Sequence, residues 1–186
     1  MFLNHIEFER KLIFYAAPTL MKLKTGNLYS INMECKEIDY WIHYYNQCLH
    51  QKDLCLLRLT RKDRNLIYIY QKQRLVNLIN HKQIKDILLF YHYDCSSLNK
   101  LFQNLQARLQ NEEFPHEIGL FLFLGYPLYD VVSFIEGKQH LYIGYWKVYS
   151  HLKNSQKTFF KYKKCTNEFM RRWIQGMSLE QICQNI

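Results

Sequence analysis

The chain has 186 residues, 48% of them hydrophobic and 22% charged, with a formal net charge of +9. Apolar residues recurring at helix and strand spacing along such a length exclude a disordered chain and suffice for one full core, so a single domain over 1–186 is expected. The longest apolar stretches, Ile118 to Leu124 and Ile87 to Phe90, fall far short of the ~20 residues of a spanning helix, so no transmembrane helix and no membrane partner is expected.

At the N-terminus Glu7, Glu9, Arg10 and Lys11 precede a short apolar run ending at Ala17-Pro18, a poor match to an export signal. Residues 5–16 read as a helix stopped by Pro18, and Asn27 to Ile31 as a short strand. Over 36–50 the spacing predicts a helix with Ile38, Trp41, Ile42, Tyr45, Cys48 and Leu49 on its core face. Leu54 to Leu59 and Leu66 to Tyr70 are strand-length apolar runs around the polar stretch 60–65, the pattern of an antiparallel hairpin. Helical segments over 73–80 and 82–91 follow. After Ser97, Leu98, Leu101, Phe102, Leu105 and Leu109 recur at helical spacing.

Glu117 to Leu124 reads as a strand, and Gly125-Tyr126-Pro127 as a turn into a short helix with Pro127 at its first position. Leu141 to Tyr149 reads as a further strand. A helix over 154–175 ends at Gly176, and Ser178 with Gln181 has the spacing of a capping box for a last short helix. Strand runs alternate irregularly with helices and include a hairpin. The fold class expected is therefore α+β: a mixed sheet of about five strands flanked by helices, with two C-terminal helices.

Six cysteines (Cys35, Cys48, Cys55, Cys95, Cys165, Cys183) show no C-x-x-C pair, which suits reduced thiols in the cytoplasm. His92 with Cys95 is half a metal site at most, so no metal is assigned. Charge is uneven. Residues 1–93 carry 14 basic and 8 acidic side chains, 94–137 carry 2 and 6, and 138–186 carry 9 and 2, a distribution that suits an anionic partner or a solvated basic face.

The segments Ala17-Pro18-Thr19-Leu20, Pro115-His116-Glu117-Ile118-Gly119, Leu124-Gly125-Tyr126-Pro127 and Gly144-Tyr145-Trp146-Lys147-Val148-Tyr149 follow one another in this order, and the resemblance they carry covers essentially the full chain. In them the sequence resembles a family of uncharacterised bacterial proteins, a domain of unknown function with PHE and LGYP motifs. The resemblance implies no fold, substrate or cofactor. Where the family pattern reads HEIG-x-FLGYP, this chain reads HEIGLFLFLGYP, two residues longer.

Several constellations could carry chemistry. His116 and Glu117 could act as acid and base, although neighbours on a strand point to opposite faces, and an ion pair with a loop cap is the competing reading. Alternation over 142–149 places Tyr145, Lys147 and Tyr149 on one face, where Lys147 could hold an anion while the tyrosines stack on a planar group; an ordinary half-exposed face is the alternative. Tyr126 ends the preceding strand and is expected to approach Lys147 or Tyr149, the alternative being an antiparallel second strand that aligns Tyr126 with its beginning near Tyr142. At the start of the helix after Pro127, Asp130 offers its charge to the helix dipole.

On the helix over 154–175, Phe159, Tyr162, Phe169, Met170, Trp173 and Ile174 form a core stripe opposite Lys157, Lys161, Lys164, Arg171 and Arg172. Cys165 sits at the border and is the best candidate for a reactive thiol. No P-loop, Rossmann glycine pattern, G-x-S-x-G or H-E-x-x-H occurs, and no cofactor is assigned. The leading expectation is a cytosolic protein, enzyme or binder, for a small anionic or planar aromatic ligand, using Tyr126, Tyr145, Lys147 and Tyr149. The rival is a module for nucleic acid or another polyanion using the basic stripe. The third is a scaffold or oligomerisation partner.

Overall fold

The structure is a computed structural model in which residues 2–111 and 122–184 are described. In chain order the elements are α1 (Phe2–Leu20), β1 (Gly26–Ile31), α2 (Cys35–Leu49), a single 3-10 turn (His50–Lys52), β2 (Leu54–Arg61), β3 (Arg64–Gln71), α3 (Lys72–Ile79), α4 (Lys82–Phe90) and α5 (Leu98–Asn111). There follow α6 (Leu128–Ile135), β4 (Tyr142–Ile143), β5 (Lys147–Val148), α7 (Leu152–Ile174) and α8 (Leu179–Gln184). Contacts divide the chain into two compact units, residues 1–72 with 162–186, and residues 73–161. Among the described residues no helix is long and apolar enough to cross a membrane.

In the first unit β1, β3 and β2 form a three-stranded antiparallel sheet in that order. The hairpin is tighter than its polar loop implies. Thr60 pairs with Asn65 and Arg61 with Arg64, so only Lys62 and Asp63 turn the chain, with Lys62 at φ 50°. A left-handed residue there gives the turn a twist that matches paired strands, which lets the polar residues extend the ladder.

The α1 core face is Phe8, Leu12, Ile13, Ala16, Ala17 and Leu20, packed with Ile38, Tyr45 and Leu49 of α2 and with Ile67 and Ile69 of β3. Of the stripe expected on α2, Trp41 and Ile42 are partly buried and Cys48 is exposed. Pro18 does not stop α1, which runs on to Leu20. A proline costs most in a helix interior; here it lies in the last turn, its carbonyl accepts the N–H groups of Leu23 and Lys24 at 2.8 and 3.1 Å, and Lys22 at φ 57° turns the chain away.

Buried Glu9 ties the end of the chain to α1: Oε2 accepts the Trp173 indole N–H at 2.8 Å and Oε1 the Leu179 amide N–H at 2.9 Å. The capping box is formed, with the Ser178 N–H donating to Gln181 Oε1 at 2.9 Å and the Gln181 N–H to Ser178 Oγ at 3.3 Å.

In the second unit α5 buries Leu101, Leu105 and Leu109, and Phe102 and Tyr93 meet the Phe123 ring edge-on at centroid distances of 6.3 and 6.1 Å. The fold is α+β, with five strands and two C-terminal helices among the described residues. Its strands do not share one mixed sheet: β4 and β5 form a separate antiparallel pair. The expected strand over 141–149 folds back on itself, because the Gly144 N–H donates to the Trp146 carbonyl at 3.0 Å and closes a tight turn between two-residue strands.

Candidate functional site

The site is built from two short stretches of the second unit. The first is the approach to α6. Leu122 and Phe123 are buried and helical, so the strand expected over 117–124 does not reach Leu124. His116 and Glu117 lie outside the described residues. Gly125, at φ 76°, donates its N–H to the Leu122 carbonyl at 2.8 Å and lets the chain turn in a conformation that costs a side-chain-bearing residue more. Pro127 then caps α6 from outside rather than filling its first position.

Asp130, in the first turn of α6, does not spend its carboxylate on the helix. It is 3% exposed; Oδ2 accepts the Trp146 indole N–H at 2.8 Å, and Oδ1 accepts the amide N–H groups of Tyr149 and Ser150 at 3.0 and 3.2 Å. A buried carboxylate needs such donors, and here they come from the β4–β5 hairpin and the residues just after it. Asp130 therefore fastens the hairpin to α6.

The hairpin is held on its other side by α7. The Phe159 ring lies 4.5 Å from that of Trp146, edge to face, and 5.5 Å from that of Tyr145. Gly144 presses its backbone against the same ring. Between hairpin and helix runs a cleft of about 220 Å³ lined by Tyr126, Asp130, Val131, Phe134 and residues 143–147. Tyr126 and Trp146 approach to a centroid distance of 5.3 Å. The Lys147 ammonium stands 4.8 Å over the centre of the Phe134 ring.

Of the four residues expected to bind a ligand, the structure brings Tyr126, Tyr145 and Lys147 to the cleft. Tyr149 does not line it; its ring meets that of His140 at 6.4 Å and its amide is bound to Asp130. Alternation along one strand, the expected reason for grouping Tyr145 with Lys147, does not operate here, because the turn at Gly144-Tyr145-Trp146 breaks the period. What groups them is the fold of the hairpin. Asp130, Phe134 and Val131 were missed as site residues. The aromatic and aliphatic pair had no signal beyond helix spacing, and Asp130 had only its position after the glycine-proline turn.

Cys165 is buried beside the first unit's core, where burial pushes its thiol up to about 12 and keeps it protonated at neutral pH. Lys157 and Lys161 are exposed in the second unit, and Lys164 is exposed in the first. Arg171 and Arg172 both bind Glu168, at 2.7 and 2.8 Å, and together hold its carboxyl down at about 2. Two of the five cations of the basic stripe thus share one carboxylate, which offsets one of their two positive charges. Among the described residues no group of three or more His, Cys, Asp or Glu side chains could hold a metal ion.

A family model described as "Protein of unknown function (DUF3793)" matches residues 12–183. No curated protein and no solved structure matches the chain.

Proposed function

The chain belongs to that family of unknown function, and we propose that it binds a small molecule with a planar ring system in the cleft beside Trp146. The observation that carries this reading is the aromatic lining: Tyr126, Phe134, Tyr145 and Trp146 come from three separate turns of chain and border one space. Rings of that kind bury large apolar area and favour stacked or edge-on contact with another ring. At about 220 Å³ the cleft is below the ~300–1,000 Å³ of drug-sized sites, which supports a ligand of one or two rings. All six cysteines are free, which supports placing this activity in a reducing compartment such as the cytoplasm.

The walls are pre-formed, because Asp130 and Phe159 hold the hairpin from both sides. A ligand then loses little free energy to ordering the site. The test is a thermal-shift screen of the purified protein against aromatic acids, aromatic amines, nucleosides and flavins, repeated with Tyr126→Ala. Stabilisation by one-ring or two-ring compounds that disappears in the variant is the expected result. Equal responses of wild type and variant to every compound would sink the proposal.

A further inference from the structure

We infer that the ligand of this cleft is an aromatic monocarboxylate of one or two rings, its carboxylate held by Lys147; this rests on reading the cleft as a ligand site. Among the described residues that line the cleft, one is a cation, Lys147, and one is a carboxylate, Asp130.

Lys147 stands on β5, whose pairing with Ile143 fixes its backbone while its side chain is exposed. Among the described residues, the contact shown for its ammonium is the face of Phe134, and no carboxylate lies within ion-pair distance. A ring face is a weaker partner than a carboxylate, and three N–H donors on a flexible stem can turn toward one. An entering anion thus gains a partner without breaking an ion pair among these residues.

Asp130 sets the limits. Three N–H groups already fill three of the roughly four acceptor positions of its carboxylate. An amino group on the ligand finds little left to bind, so a zwitterionic amino acid gains nothing over the plain acid. A phosphate monoester brings a second negative charge into a wall that already holds one and offers no second cation. The volume matches one or two rings and covers only part of a larger planar group such as a tetrapyrrole. One negative charge on one or two rings is the match.

Isothermal titration at pH 7 with 2-naphthoate, 2-naphthalenemethanol and 2-naphthyl phosphate tests this, with amide NMR shifts of Ile143 and Gly144 reporting where each probe sits. The naphthoate is expected to bind at least about tenfold more tightly than the neutral alcohol and the phosphate. Lys147→Met should abolish that advantage and leave the alcohol unchanged, while Lys147→Arg should retain most of it. If the alcohol or the phosphate binds as well as the acid, or Lys147→Met leaves the ratio unaltered, the monocarboxylate inference is overturned. Shifts at Gly144 would in that case still uphold the cleft as a ligand site. No shift at either amide with any probe would overturn both.

Discussion

A Cβ added to Gly144 would lie 2.2 Å from Cε2 of Phe159, closer than any unstrained contact permits. The glycine is the point at which the hairpin backbone meets the ring that supports it, and the atoms in the way belong to a side chain packed by Tyr142, Tyr145 and Trp146. Gly144→Ala should therefore destabilise the second unit by about 1–3 kcal/mol, as overpacking does in tight interiors. Denaturant titration measures it. In a Phe159→Leu background the same substitution should cost clearly less; an undiminished cost would mean that the ring is not the obstacle.

Asp130→Asn replaces an acceptor of three N–H bonds by a group that presents an NH₂ to at least one of those donors. A loss of about 1–3 kcal/mol is expected from the donor left buried and unpaired. In Asp130→Ala, which removes both accepting oxygens, hydrogen exchange should show the indole N–H of Trp146 and the amides of Tyr149 and Ser150 losing protection together. Loss at only one of the three would contradict the role of Asp130 as their common anchor.

Lys24 is 4% exposed, and burial lowers its amine to about 7. Between that value and about 10.4 the unfolded chain holds a proton that the folded chain lacks, so stability rises with pH, by up to about 1.4 kcal/mol per unit. Burial acts on Cys165 and Cys183 in the opposite sense, raising both thiols to about 12. From about pH 8.5 the unfolded chain loses thiol protons that the folded chain keeps, and stability turns down. Unfolding free energy measured against pH should peak near that crossover. Lys24→Met should flatten the rising limb and leave the falling one intact; an unchanged rise would remove Lys24 as its source.

Thiol labelling at neutral pH should divide the cysteines by burial. Cys35 and Cys48 are exposed, whereas Cys165 and Cys183 are buried and held protonated. Mass spectrometry after maleimide treatment should find the first two modified in the native protein and the last two only after denaturant is added. Rapid labelling of Cys165 in the native state would restore it as a candidate nucleophile.

How far the sequence reaches depends on the range of the interaction. The core stripes of α2 and α5 were legible because a helix repeats every 3.6 residues and Leu101, Leu105 and Leu109 keep that period. The box at Ser178 and Gln181 was legible for the same reason, its partners being three residues apart. The hairpin at 142–148 was not. Its residues alternate well enough for one strand, and only Gly144 hints at the fold-back, which contact with Phe159 fifteen residues later makes necessary. Asp130 was harder still: its donors lie 16 to 20 residues away, and nothing local distinguishes it from a helix-start aspartate. Pro18 misled through a rule that holds for helix interiors and lapses in the final turn.

The bonds that Glu9 makes to Trp173 and Leu179 reach across 164 and 170 positions of sequence. During synthesis the sheet and its two helices leave the ribosome well before these partners, which follow about a hundred residues later, a delay of roughly 5–20 s at usual elongation rates. Over that interval Glu9 is a carboxylate without its indole and amide donors, and the apolar face that Phe169 and Ile182 will cover stays open. The stretch 73–161 meets no such wait, since its partners are contiguous in the chain. A chain that ends before Trp173, once released from the ribosome, should thus present a finished middle and an unfinished beginning.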